Sequence, residues 1–131
     1  MPTSVLPFLM FQGQGSDALD FYLFVFPHSK IEHIERYQAG DSGAEGSIKL
    51  ARFTLGEQSV LCTDSPIKHA FSFTPSFSFF VECASQDEVR RLGSLLKEGG
   101  AELMPVDHYG FSTLFTWVSD RFGVSWQLNC A

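Results

Sequence analysis

Cysteine is scarce in this chain: 131 residues hold only Cys62, Cys83 and Cys130, and no two of them form a CxxC pair. An odd, widely spaced set excludes a disulfide framework and a zinc ribbon. The three read as reduced thiols of a cytoplasmic protein, each a small buried hydrophobe. Basic residues are few as well. Lys plus Arg is 9 against 15 for Asp plus Glu, a formal charge of −6. Without a basic stripe to meet phosphates, nucleic acid is not expected as a partner. Long apolar runs are also missing. The longest, around Phe21 to Phe26, falls far short of the ~20 residues of a membrane span. The apolar stretch Val5 to Phe11 has no basic residue before it, so no signal peptide is expected.

What the chain has in abundance is aromatic surface. Phe alone occurs 14 times, and aromatics make up 15% of the residues. That is too apolar for disorder, and the length suits one compact domain over residues 1–131.

The elements follow from periodicity. Val5 to Phe11 reads as a strand buried on both faces. Ser16 is placed to cap a helix from Asp17, whose apolar face runs through Ala18, Leu19, Phe21, Tyr22, Val25 and Phe26 and stops at Pro27. Lys30 to Tyr37 alternates as a strand, and QAGDSGAEGS (38–47) is a loop. Ile48 to Leu55 and Gln58 to Thr63 form a hairpin about Gly56-Glu57. After an irregular connection, Ser76 to Cys83 is a strand. Ser85 and Glu88 make a capping box for a helix that Gly99-Gly100 ends. Ala101 to Val106, Gly110 to Ser119 and Val124 to Asn129 are the remaining strands.

Each half is thus strand, helix, then three strands. Sliding one half onto the other lays Phe11 on Val81, Leu19 on Val89 and Tyr22 on Leu92. The expected class is α+β: two βαβββ modules, about 4–64 and 75–130, whose curved mixed sheets make a half-barrel around a shared cavity with the helices outside.

Several segments carry a resemblance. They are Pro7-Phe8-Leu9-Met10-Phe11, then Ala18, Phe21-Tyr22, Phe26-Pro27 and Ser29-Lys30-Ile31, then Glu45-Gly46-Ser47 and Gly56-Glu57-Gln58. Ser78 to Cys83, Glu98-Gly99-Gly100 and Asp120 to Gln127 complete the set. In this order and spacing the chain resembles the vicinal oxygen chelate superfamily, with the glyoxalase/bleomycin-resistance fold. Within it the chain is similar to the PhnB-like branch, often labelled 3-demethylubiquinone-9 3-methyltransferase-like. The resemblance implies a homodimer. It also implies where a divalent cation would sit in the superfamily's enzymes, on one His or Glu from the first and last strand of each half. Those positions fall here at Pro7, at or beside Cys62, at Ser76 and at Gln127. No hard cation site can be built from them, so neither a metal nor another cofactor is expected. Methyl transfer is not expected either. Gly40 to Gly46 leads into a strand, not into the helix that a glycine-rich cofactor turn feeds.

Alternation then selects a pocket. With Gln127 facing inward, Ser125 joins it, as do Ser76, Ser78 and Phe80 on the facing strand and Leu9 and Phe11 on the first. The candidate ligand-binding residues are Leu9, Phe11, Cys62, Ser76, Ser78, Phe80, Ser125 and Gln127. They make an apolar wall with a few neutral hydrogen-bonding groups, suited to a small apolar or aromatic molecule. His33 and Glu35 share a strand face and read as a solvated edge. His28 reads as a helix-end residue, and His69 and His108 as loop residues. Two other readings stand beside small-molecule binding. One is a metal-dependent glyoxalase- or dioxygenase-type enzyme acting on a thiol conjugate or vicinal diol. The other is a protein-association module using the aromatic helix.

Overall fold

The computed structural model describes residues 2–131. Hydrophobic alternation and two turn-bounded helical stretches resolve into ten elements. In the first half these are β1 (Phe8–Phe11), α1 (Gly15–Val25), β2 (Ser29–Arg36), β3 (Ile48–Leu55) and β4 (Gln58–Asp64). In the second half they are β5 (Ser78–Glu82), α2 (Gln86–Lys97), β6 (Ala101–Asp107), β7 (Leu114–Ser119) and β8 (Ser125–Cys130). Two compact units result, one ending at His69 and the other beginning at Ala70. Among the described residues no helix is long and apolar enough to cross a membrane.

Each unit is an α+β module with one helix and one mixed four-stranded sheet. The first sheet runs β1-β4-β3-β2 and the second β5-β8-β7-β6. In both, the first strand pairs in parallel with the last, and the remaining pairs are antiparallel.

In the first unit α1 buries Ala18, Leu19, Tyr22 and Val25. The Tyr22 ring stacks over Phe53 at 6.4 Å between centroids. Phe53 pairs with Val60, and Ala51 pairs with Cys62. Since alternate residues share a face, these four lie together beneath α1. Asp64 closes this face. Its carboxylate accepts from the backbone N–H groups of Gly13 (2.9 Å), Gly15 (2.9 Å) and Ile48 (2.8 Å). A Cβ on Gly15 would stand 2.9 Å from the Asp64 carboxylate, so only glycine fits there. The expected cap at Ser16 is therefore corrected. The helix begins at Gly15 with no side-chain cap on its Gln14 N-cap. Asp64, brought in by β4, satisfies the orphan donors, and Ser16 Oγ instead accepts from Arg36 at 2.8 Å.

In the second unit α2 buries Val89, Leu92, Gly93 and Leu96. Gly93 lets the helix approach the sheet, since a Cβ there would be 3.0 Å from Thr116 Cγ2 and 3.5 Å from Leu128 Cδ1. Here the capping box forms. Ser85 Oγ accepts from Glu88 N at 3.1 Å, and Glu88 Oε1 accepts from Ala84 N at 3.1 Å. Trp126 lies on the same face as Leu128, stacked on Phe79 at 4.8 Å. Its indole N–H donates to Asp120 Oδ2 at 2.9 Å. Asp120 Oδ1 holds the N–H groups of Phe122 (2.8 Å) and Val124 (3.0 Å), fixing the β7–β8 turn.

Three strands are shorter than expected, β5 spanning only Ser78–Glu82. β1 starts at Phe8 and β7 at Leu114. Residues 110–113 are turn, entered through Tyr109 and Gly110 at φ values of 57° and 79°.

Candidate functional site

The face of the second sheet opposite α2 carries a row of polar and aromatic side chains. Ser78 pairs with Ser125, Phe80 with Gln127 and Glu82 with Asn129. These six side chains alternate with the Phe79, Val81, Trp126 and Leu128 set that faces the helix. β7 extends the row, with Trp117 opposite Gln127 and Phe115 opposite Asn129.

Four polar side chains on this face form a chain of hydrogen bonds. Trp117 Nε1 donates to Ser125 Oγ at 2.8 Å. The Ser125 and Ser78 hydroxyls lie 2.6 Å apart. Gln127 Nε2 donates to Ser78 Oγ at 3.3 Å. Counting protons gives the chain its character. Two hydroxyl protons are present and only one can bridge the two serines, so the other is available to a further acceptor. The Gln127 amide adds a carbonyl acceptor and a second N–H. All these groups are neutral.

Beside this polar strip lies an aromatic cluster. Phe80 meets Phe115 at 6.5 Å, Phe115 meets Phe111 at 5.1 Å, and Tyr109 meets Phe111 at 6.1 Å and Phe115 at 6.0 Å. Tyr109 is the one non-glycine residue with positive φ among those described. The conformation costs on the order of 1 kcal/mol or more for an L-residue with a large side chain. Its hydroxyl donates to Pro105 O, which holds the ring over the cluster. Phe80 remains 54% exposed and Phe111 63%. Ser112 Oγ donates to Asn129 Oδ1, tying the aromatic loop back to β8.

The eight residues expected to line a pocket therefore separate. Ser78, Phe80, Ser125 and Gln127 share one face. Ser76 does not join them: it precedes β5 in a turn, exposed, with its hydroxyl 2.7 Å from that of Thr74. Leu9, Phe11 and Cys62 belong to the first unit and are buried there. Leu9 pairs with Cys62 and Phe11 with Asp64, which puts all three on the side covered by α1. The inward direction expected for Leu9 and Phe11 is thus reversed, and Phe8 and Met10 take the opposite face. Tyr109, Phe111, Phe115 and Trp117 were not among the expected residues. Their signal was present in the sequence: Phe111, Thr113, Phe115 and Trp117 alternate, and counting back from the turn at Asp120 places Trp117 opposite Gln127.

The cation positions implied by the resemblance do not fit a metal. Pro7 has no donor. Cys62 is fully buried on the side covered by α1, where burial first, and then the nearby Asp64 carboxylate, push its thiol up to about 12. The Ser76 hydroxyl is bonded locally, and the Gln127 amide nitrogen is committed to Ser78. Among the described residues no three His, Cys, Asp or Glu side chains gather as a cation would need. His33 is exposed on the edge strand β2 beside a bulge, and its neighbour Glu35 pairs loosely with Lys49 at 4.0 Å. His69 Nε2 lies 2.9 Å from Ser65 Oγ. That hydroxyl also bonds the backbone of Ile67, so the pair shapes a turn.

Comparison with known proteins places this geometry. The family model described as 3-demethylubiquinone-9 3-methyltransferase matches residues 3–129. The structure of a PhnB protein from Bacillus cereus is similar with a TM-score of 0.94 and 41% identity, covering 98% of this chain and 100% of that one. A protein from Pseudomonas aeruginosa follows at a TM-score of 0.85 and 25% identity, covering 98% of each chain. A glyoxylase/bleomycin resistance protein/dioxygenase domain from Frankia shares the fold, with a TM-score of 0.64 at 18% identity over 100% of this chain and 93% of that one. No curated protein matches.

Proposed function

We infer the function from one premise: the chain belongs to the 3-demethylubiquinone-9 3-methyltransferase family, together with PhnB-like proteins. On that premise we propose a metal-independent binding protein for a small planar molecule, taken up on the open face of the second sheet. The carrying observation is the pairing of an aromatic cluster, with Phe80 and Phe111 exposed, and a chain of neutral hydrogen-bonding groups that keeps both a donor and an acceptor to offer. An aromatic face stacks a flat ring system. A ligand edge bearing both C=O and N–H would satisfy the spare hydroxyl proton and the Gln127 carbonyl together, and a hydrocarbon of the same shape would leave them unpaired.

Binding is favoured over methyl transfer, despite the family's description. The glycine-rich segment 38–47 connects two strands, and a Cβ on its Gly43 would strike the Tyr37 ring at 2.4 Å. That glycine is needed for packing against an aromatic side chain. We further take residues 1–131 as one domain with modules about 4–64 and 75–130. The chain is read as a cytoplasmic homodimer, for which light scattering at micromolar concentration should give twice the mass of one chain.

The test uses phenanthridinone, a planar lactam, and phenanthrene, the matching hydrocarbon, titrated against the tryptophan fluorescence. Phenanthridinone should saturate the signal and bind more tightly. Phe80→Ala and Gln127→Ala should each weaken it about tenfold, equivalent to about 1.4 kcal/mol. Phe24→Ala, on the 72% exposed outer side of α1, should leave it unchanged. Equal affinity for both probes, or indifference to both site variants, sinks the reading.

A further inference from the structure

Independently of any ligand, the second sheet brings two cysteines side by side at its edge. β5 and β8 run in parallel, and their register ends at Glu82 opposite Asn129. The ladder continues one step further, since Cys83 N donates to Asn129 O at 2.7 Å. Cys83 therefore stands beside Cys130. Paired residues of neighbouring parallel strands direct their side chains to the same face, and their backbones lie about 4.8 Å apart, within the Cα span of about 4.4–6.8 Å that a disulfide bridges. Both side chains are half-buried and neither is in a disulfide; the thiols donate weakly to nearby carbonyls, Cys83 to Val81 O and Cys130 to Ala131 O, each at 3.9 Å. Their proximity is also felt electrostatically. Burial first and then Glu88 raise the Cys83 thiol to about 11; the backbone contact at Asn129 lowers it, and Cys130 and Glu82 add lesser raises.

We propose that Cys83 and Cys130 are a redox-active pair that closes a reversible intrachain disulfide, clamping edge strand β5 to β8. The oxidant is hydrogen peroxide. One thiolate attacks a peroxide oxygen, the O–O bond breaks, and a sulfenic acid and hydroxide form. The sulfur of the second thiol, losing its proton, then attacks the sulfenic sulfur and expels hydroxide. The two hydroxides take up the two thiol protons, so two thiols and one peroxide give one disulfide and two waters. The carboxylates of Glu82 and Glu88 around Cys83 favour a small neutral oxidant over an anionic disulfide such as oxidised glutathione. Lateral pairs in adjacent strands close under strain, which keeps the bond easy to reduce. Cys62 is the internal control: it is fully buried, and its strand neighbours are Leu9 and Ala51, so no second cysteine stands beside it.

Trypsin separates the partners, with Cys83 in peptide 69–90, Cys130 in 122–131 and Cys62 in 53–68. The folded wild-type chain is treated with a small excess of peroxide, alkylated, and digested without reductant. The expected product is peptide 69–90 linked to 122–131, two hydrogens lighter than their sum. Dithiothreitol should reverse it, the protein should keep monomer mobility on a denaturing gel, and Cys62 should remain unoxidised. Cys83→Ser and Cys130→Ser should each abolish the link and leave a dimedone-trappable sulfenic acid on the surviving cysteine. The proposal is overturned if the two cysteines oxidise separately without linking. It is equally overturned if they stay reduced under peroxide that oxidises the unfolded chain, or if the link forms only between chains.

Discussion

Asp64 and Asp120 do the same job in the two units: a buried carboxylate gathers three N–H groups that would otherwise be orphaned. Removing such an acceptor leaves donors buried and unpaired at about 1–3 kcal/mol each, reduced where water can enter. Asp64→Ala and Asp120→Ala should each lower stability by about 2–5 kcal/mol in urea titration. A loss below about 0.5 kcal/mol would mean that the donors find other partners. Cys62 supplies a pH dependence whose sign is fixed. Its thiol sits at 9.0 when unperturbed and about 12 in the fold. Above pH 9 the unfolded chain sheds this proton while the native chain keeps it. The stability contribution is complete below pH 9 and lost as pH rises toward 12. One proton gives a slope of up to about 1.4 kcal/mol per pH. Cys83, raised to about 11, acts in the same direction. Cys62→Ala should flatten the alkaline fall, and an unchanged profile would place the dependence elsewhere.

The two helices show why one unit reads easily from sequence and the other does not. α2 announces itself locally, because Ser85, Glu88 and the Gly99-Gly100 stop all lie within its own span. The start of α1 does not. Its donors are met by a carboxylate 49 residues away from Gly15, which no local pattern contains. Ser85→Ala should therefore cost about 1 kcal/mol, whereas Ser16→Ala should cost less than about 0.5 kcal/mol because it removes only an exposed contact with Arg36. Equal losses on denaturation would contradict this division. The same distinction governs the strands. In β8 serine, glutamine and asparagine alternate with large hydrophobes, and Ser78 and Glu82 bound β5 on the same side, so the open face is marked by polar residues. In β1 every side chain of Phe8 to Phe11 is apolar. Nothing in such a run says which face meets the helix, so alternation alone cannot tell that Leu9 and Phe11 pack beneath α1. The expected strand from Gly110 failed for a third reason. Tyr109 and Gly110 take positive φ and turn the chain before it can pair, folding the aromatic loop over the sheet.

At the scale of the whole molecule, the order of elements was legible because it is written twice, and both sheets adopt the same strand order. Which unit carries the proposed site is not legible in the sequence, since the halves share pattern and not letters. The two sheets differ in surface chemistry. The first sheet carries charge pairs, Arg52 with Glu32 at 3.1 Å and Lys49 with Glu35 at 4.0 Å. The open face of the second carries rings and neutral polar groups. The only formal charges that strand register assigns to this face are acidic: Glu82 beside Asn129, and Asp107 opposite Phe115. The chain as a whole is at −6. Local and global fields therefore have one sign, and a flat ligand should be sorted by its charge. Naphthylmethylammonium and naphthoate present the same ring system with opposite charges. At low ionic strength the cation should bind roughly three- to tenfold more tightly than the anion. The ratio should fall toward one near 0.5 M salt, where the screening length is about 4 Å. Phe80→Ala should weaken both probes alike and leave their ratio standing, because stacking is indifferent to the sign of a substituent. Glu82→Gln should lower the ratio and leave the anion no worse. A preference for the anion, or a ratio that salt does not move, would put the bound ring somewhere other than this face.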